Sequence, residues 1–222
     1  MTPSAVLFSG GLDSAVLLAD ELARADTVWP IHVRAGLAWE PAEALAIARL
    51  LDDPPFAGRT QPLKTLTVDM RDVYPPTHWA VVGAAPGYDK PDEDVYLDGR
   101  NIILTAKAAV LAGRLGVSRL VLGPLAGNPF PDATREFFDT MSRAMSLGLA
   151  RSVEISAPFR TLQKADVIRL GASLGVPLEH TMSCMAPEGD RHCGRCNKCR
   201  ERREGFAAAS VEDRTPYVAT WK

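Results

Sequence analysis

No apolar run in this sequence is long enough to span a bilayer, because proline or a charged side chain interrupts each one. Neither a basic segment nor a long apolar one follows the first residue, so no signal peptide is expected and the protein reads as cytoplasmic. An excess of one charge is missing too. The 25 Lys and Arg against 27 Asp and Glu leave a formal net charge of −2, which argues against a dedicated nucleic-acid binder while leaving a local basic patch open. No cysteine precedes position 184, and all four fall between 184 and 199. A disulfide framework would scatter them along a small secreted chain, so their clustering points to metal. Internal repeats and low-complexity segments are absent. What is present is 222 residues, 46% apolar and 23% charged, enough for one large α/β domain with a small appendage and a full core.

The most informative stretch is Ser9-Gly10-Gly11-Leu12-Asp13-Ser14. A strand-like run (Ala5 to Phe8) precedes it, and the helix-like run Ser14 to Leu22 follows. A Gly-rich turn there lets backbone N–H groups approach an anion, and the helix dipole adds roughly half a positive charge. Ser9 and Ser14 bring hydroxyl donors, and Asp13 can hold magnesium against phosphates. No Gly-Lys-Ser/Thr follows, nor is the turn G-x-G-x-x-G. The six residues resemble instead the PP-loop of the ATP pyrophosphatases, which adenylate a carbonyl or carboxyl oxygen.

Further on, strands are expected at 27–35, 64–70, 119–123 and 153–157, with helices at 41–51, 102–115 and 161–174 between them. That alternation implies βαβ units and a parallel sheet, with ligands beyond the carboxyl ends of the strands. The Pro- and Gly-punctuated stretch 71–98 excludes a long helix and reads either as a surface excursion or as a loop covering a substrate. Arg100 and Asn101 open the helix at 102, where they either reach a nucleotide or form an ordinary cap. Asp132 is expected to cap a helix running to about Leu149, whose Phe137, Met141, Met145 and Leu149 share one core face. Lys164 is either a phosphate contact or a solvated helix lysine. The last dozen residues read as a lightly held tail.

Cys184-x8-Cys193-x2-Cys196-x2-Cys199 offers four thiolates to one tetrahedral ion. Four sulfurs leave no open position, so zinc here is expected to be structural; an iron–sulfur cluster is the alternative. His180 and His192 are then bystanders. Lys198, Arg200, Arg202 and Arg203 follow, interleaved with Glu201 and Glu204, and suit either RNA or a solvated or subunit-facing helix.

S-G-G-L-D-S at 9–14, D-G-R-N at 98–101, L-Q-K-A-D at 162–166 and T-M-S-C…C-G-R-C-N-K-C at 181–199 occur in one order. The series resembles the 7-cyano-7-deazaguanine synthase family of queuosine biosynthesis over nearly the whole chain. The resemblance implies a Rossmann-like, adenine nucleotide alpha hydrolase-like parallel sheet with helices on both faces. Residues 1–175 would form the ATP-binding domain and 176–222 a zinc-binding helical region packed on it. It implies an ATP-dependent carbon–nitrogen ligase taking 7-carboxy-7-deazaguanine and ammonia through an adenylated intermediate, acting as a homodimer without membrane or nucleic-acid partner. Asp13, Arg100 and Lys164 would be catalytic. Phe8, Ser9, Gly10, Gly11, Leu12, Asp13, Ser14, Asn101 and Gly123 would hold ATP with Mg2+, and the four cysteines one Zn2+ per chain. The chain departs from the family's Tyr-Pro-Asp-Cys-Arg-like run, with Phe130 for the Tyr, Ala133 for the Cys and Thr134 inserted before Arg135; Met185 replaces an aromatic. These changes leave two alternatives: a divergent ligase adenylating another acid or a tRNA or protein acceptor, and a non-catalytic nucleotide-binding regulator.

Overall fold

The computed structural model describes residues 2–219. Five short strands, β1 (Ser4–Leu7), β2 (Val28–Arg34), β3 (Lys64–Thr67), β4 (Arg119–Val121) and β5 (Glu154–Ser156), form one sheet. Its order is β3-β2-β1-β4-β5 and every pairing is parallel, with Leu7 opposite Ile31 and Val6 opposite Val121. The chain builds outward from β1 through β2 and β3, then returns to β4 on the other side. That reversal opens a crevice at the carboxyl ends of β1 and β4.

Helices cover both faces, as the alternation of strand and helix requires. On one face lie α1 (Leu12–Arg24), α2 (Glu40–Asp52) and α6 (Lys164–Ser173), with α7 (Asn197–Ala209) packed on α6. α1 is buried from Ser14 to Leu22, so its Val16, Leu17 and Leu18 form the middle of that core. On the other face α4 (Arg100–Arg114) and α5 (Arg135–Leu149) cover Ala5, Leu120 and Ile155. The stripe Phe137, Met141, Met145 and Leu149 packs there as expected, although only Phe138 of α5 is fully buried.

Three local expectations change. Asp132 does not cap α5; Thr134 does, accepting the Phe137 N–H at 3.1 Å. Asp132 turns to α4 instead, because the N-cap there is Gly99, which has no side chain to offer. The helix expected from Thr161 begins at Lys164, where Gln163 and Asp166 close a reciprocal capping box. Of the last dozen residues, 220–222 lie outside the described residues, and 211–219 are firmly held rather than loose. Arg202 is 1% exposed, and its buried guanidinium needs acceptors. It donates to Thr215 Oγ1, Thr181 Oγ1, Ser183 Oγ and the Leu178 carbonyl. Backbone bonds between His192 and both Pro216 and Val218 extend the seam, and Arg203 lies 4.0 Å over the Tyr217 ring.

The 71–98 stretch contains a single helical turn, α3 (Trp79–Val82), and a 3₁₀ turn at Asp92–Val95. A satellite cluster of Leu37, Trp39, Met70, Tyr74, Ala80 and Leu97 pins it, and Tyr74 donates to the Asp98 carbonyl at 3.0 Å. Val95, Tyr96 and Leu97 thereby reach the crevice.

Candidate active site

The carboxyl ends of β1, β2 and β4 open into a cleft of about 330 Å³, a size that suits a small-molecule ligand. The turn after β1 forms its floor. Gly10 holds φ +74°, and a Cβ there would meet Ile47 Cγ1 at 2.9 Å and the Glu43 carbonyl at 3.1 Å. Glycine is required because both the left-handed backbone and the contact with α2 exclude a side chain. Gly10 itself does not line the cleft; it shapes the turn that does. Ser14 Oγ donates to the Gly11 carbonyl at 3.0 Å, and Ser9 Oγ accepts the Gly11 N–H at 3.3 Å. The N-cap of α1 is Gly11, which supplies no side-chain acceptor, so the first N–H groups of a buried helix face the cleft. Phe8 and Leu12 border the cleft while packing into the core, Phe8 against Phe56. Gly123, after β4, lies against Asp13, where a Cβ would stand 3.4 Å from the Asp13 carbonyl.

The three residues singled out for chemistry converge on this cleft. Lys164 Nζ donates to both Asp13 carboxylate oxygens at 2.9 and 2.7 Å and pairs with Glu201 at 2.8 Å. Burial alone would lower its pKa, but Asp13 and Glu201 together raise it above the ordinary lysine value. Arg100 lies 5.8 Å over the Trp39 ring. Asn101 also lines the cleft, but its backbone N–H and Nδ2 donate to Asp132 at 3.1–3.2 Å.

Several lining residues escaped the sequence reading. The sequence offers Glu201 and Lys198 to RNA or to a solvated or subunit-facing helix; in the structure they join the Lys164 network, bonded to each other at 2.6 Å. Burial would raise the Glu201 pKa, but Lys164 and Lys198 bring it down to about 2. Arg202, in the same run, is wholly internal. His32, Trp39 and Glu43 line the opposite wall. One signal was available: Glu40 and Glu43 interrupt the helical-period stripe of Ala42, Ala46, Ile47 and Leu50 in α2.

Burial pushes the Glu43 carboxyl from 4.5 up to about 7, against the opposing pull of Arg100. A folded pKa above the unfolded one stabilises the native state below pH 4.5, and that contribution is lost as pH rises through 7. Glu43→Gln is therefore expected to stabilise the unliganded protein at pH 8 by up to about 3 kcal/mol. The gain should vanish near pH 4.5. Urea denaturation of both proteins across that range tests the sign; equal stability at pH 8 would contradict it.

Behind Met182 and Ser183 lie the four cysteines, all buried, with their sulfurs within 4.8 Å of one another. The closest pairs stand at 3.5, 3.8 and 3.9 Å. Four sulfurs at about 2.3 Å from one tetrahedral ion would lie about 3.8 Å apart, so the set fits zinc. Backbone N–H groups of Ala186, Cys193 and Arg195 point at these sulfurs, as they do around a thiolate shell. His192 stays outside it, its Nε2 accepting the Ser183 N–H at 3.1 Å. His180 lies away from it, its Nδ1 2.7 Å from Asp53.

The profile of a family described as "Queuosine biosynthesis protein QueC" matches residues 4–210. The 7-cyano-7-deazaguanine synthase of Caldicellulosiruptor bescii is 31% identical, with 96% of each chain covered. That of Pyrococcus abyssi is 30% identical over the whole of both chains. Among solved structures, the "predicted subunit of tRNA methyltransferase" of Methanocaldococcus jannaschii superposes with a TM-score of 0.50 at 15% identity, covering 78% of this chain and 75% of that one. This last likeness bears on the fold alone. Among the described residues no helix is long and apolar enough to cross a membrane.

Proposed function

The chain belongs to the QueC family of queuosine biosynthesis enzymes, and we propose that it is an ATP-dependent ligase converting 7-carboxy-7-deazaguanine and ammonia to 7-cyano-7-deazaguanine. The observation that carries this reading is the Asp13–Lys164–Glu201 network beside the open N-terminus of α1, inside the cleft at the carboxyl ends of the strands.

A carboxylate oxygen is a poor leaving group, and an adenylate is a good one. The substrate carboxylate attacks the α-phosphorus of ATP and pyrophosphate departs. Ammonia then displaces AMP, losing a proton, to give the amide. A second adenylation at the amide oxygen, followed by loss of AMP and protons, gives the nitrile. The α1 N–H groups and the Ser9 and Ser14 hydroxyls would hold the phosphates, and Lys164 would offset the charge that develops on them, while Arg100, over Trp39, would face the acceptor. Asp13 would hold magnesium, which supplies charge neutralisation at the phosphates when bound. No nucleophilic side chain is needed, and the four cysteines would hold structural zinc. The task of the protein is positioning.

We further propose a cytoplasmic homodimer without a nucleic-acid partner. Ile102, Ile103 and Val110 of α4 remain between 38% and 45% exposed, which supports a subunit contact on that helix.

The test is incubation of the purified protein with ATP, magnesium, ammonium and 7-carboxy-7-deazaguanine, with nucleotide and deazapurine followed by mass spectrometry. Amide or nitrile formed with AMP and pyrophosphate is the expected result. Consumption of ATP only with a different acid present would replace the substrate, and ATP bound without turnover would replace the reaction.

A further inference from the structure

Along the wall of the cleft made by β2, α2 and α4 lie two buried nitrogens without partners and a buried carboxyl without an ion pair. His32 is 4% exposed. Its Nδ1 lies 3.2 Å from the Phe8 carbonyl, while Nε2 is buried with no hydrogen-bond partner. A carbonyl only accepts, so Nδ1 carries the proton and Nε2 is left as a buried acceptor. Arg100 Nε is likewise buried without a partner. Glu43 forms no ion pair among the described residues, and its hydrogen-bonding neighbour is the Trp39 side chain. Trp39 in turn stacks on Trp79, with ring centroids 5.6 Å apart and planes at 13°, which fixes its ring at the edge of the cleft. Buried polar groups in a folded protein are ordinarily satisfied, and these line one cleft. A ligand is what completes them.

We propose that Glu43, Arg100 and Trp39, with His32 beside them, form a subsite that reads the aminopyrimidinone edge of a guanine-like heterocycle. The inference rests on the reading of the cleft as a deazapurine site and names how that class is selected. A carboxylate accepts two neighbouring N–H donors, the ring N1–H and the exocyclic 2-amino group. Arg100 donates to the adjacent carbonyl oxygen, and the planar ring lies against Trp39. Adenine matches this pattern poorly: it presents one amino group beside a ring acceptor and has no carbonyl for Arg100. The subsite therefore belongs to the acceptor and not to ATP. The raised Glu43 pKa agrees with the geometry, since a buried carboxylate with no ion-pair partner and Trp39 as its side-chain donor is a state that two further N–H donors relieve.

The test compares wild type with Glu43→Gln by calorimetry, using 7-deazaguanine and 7-deazahypoxanthine, which lacks the 2-amino group. Neither carries the C7 carboxyl, so neither can react. A non-hydrolysable ATP analogue reports whether the nucleotide site stays intact. Wild type is expected to prefer 7-deazaguanine by about 10²-fold, a discrimination that a site built to accept hydrogen bonds from the ligand can reach. Glu43→Gln should shrink that preference to within about threefold and leave the ATP analogue within threefold of wild type. A wild type that does not discriminate, a Gln variant that keeps the preference, or a Gln variant that loses only the nucleotide would each overturn the subsite. Discrimination without nitrile formation would instead sink the reaction assigned above and leave the subsite standing. Nitrile formation with a preference indifferent to Gln would do the reverse.

Discussion

Replacing Lys164 with Met is expected to lower ATP-dependent turnover by about 10²–10³-fold, the loss typical when one preorganised charge donor leaves a dry site. Lys164 is the only basic side chain found bonded to Asp13 among the described residues, and its side chain is 17% exposed. Its position is over-determined. Gly205 of α7 lies so close that a Cβ there would stand 2.4 Å from Lys164 Cγ, so the stem runs in a groove only glycine leaves open. Glu201, one turn earlier on α7, takes the ammonium at 2.8 Å. Lys164 titrates above the ordinary lysine value, so it stays charged through neutral pH, and its favourable pairing weakens only at strongly alkaline pH. Glu201 behaves in the opposite sense. Its folded pKa lies near 2, so its contribution is present above pH 4.5 and lost as acid approaches 2. Glu201→Gln should therefore cost less than Lys164→Met, and the double variant should cost little more than Lys164→Met alone, because both act through one ammonium. Turnover with saturating ATP, together with ATP affinity, measures this. Near-wild-type turnover in Lys164→Met would remove the lysine from the chemistry.

Stripping the metal from the four-cysteine site should be the larger blow to stability. Cys196 is the N-cap of α7 and Cys199 lies in its first turn, so the ion would anchor the end of the helix that carries Glu201, Arg202 and Gly205. Without it, four buried thiols face one another and the seam of Arg202 with Thr181, Ser183 and Thr215 loses its fixed edge. Structural zinc in small sites contributes apparent energies of about 10 kcal/mol. Even half of that would lower the melting temperature by about 10–20 °C for a chain this size. Metal analysis should give one zinc per chain, and chelation or Cys196→Ser should lower the melting temperature and weaken ATP binding together. A metal-free protein that melts where the loaded one does would leave the cluster without a structural role. Iron with a visible absorption band would replace zinc.

The coarse architecture was legible because its signals are local. A strand needs only alternation or a short apolar run, and the Gly-Gly turn before Leu12 needs only neighbours in sequence. The cysteine spacing carries its own geometry, since two-residue spacers bring sulfurs together wherever the segment lies. Capping was less legible. Asp132 and Thr134 are both acceptable caps for α5, and Asp132 went to α4 because Gly99 left that helix end unserved. The closing segment misled in the same way, since nothing near Thr215 announces that a buried arginine requires its hydroxyl.

By itself the sequence determined the phosphate-binding turn, the parallel alternation of strand and helix, the four-sulfur site and the kinship that joins them. Only the tertiary structure decided that Lys164 lies between Asp13 and Glu201, 151 and 37 positions away in the chain, and that His32, Trp39, Glu43 and Arg100 share one wall. The physical reason is range. Turn chemistry, periodicity and ligand spacing act over a few residues, whereas burial and charge pairing depend on which distant segments the sheet order β3-β2-β1-β4-β5 brings together. Glu43 reads as one more polar helix residue until the fold encloses it.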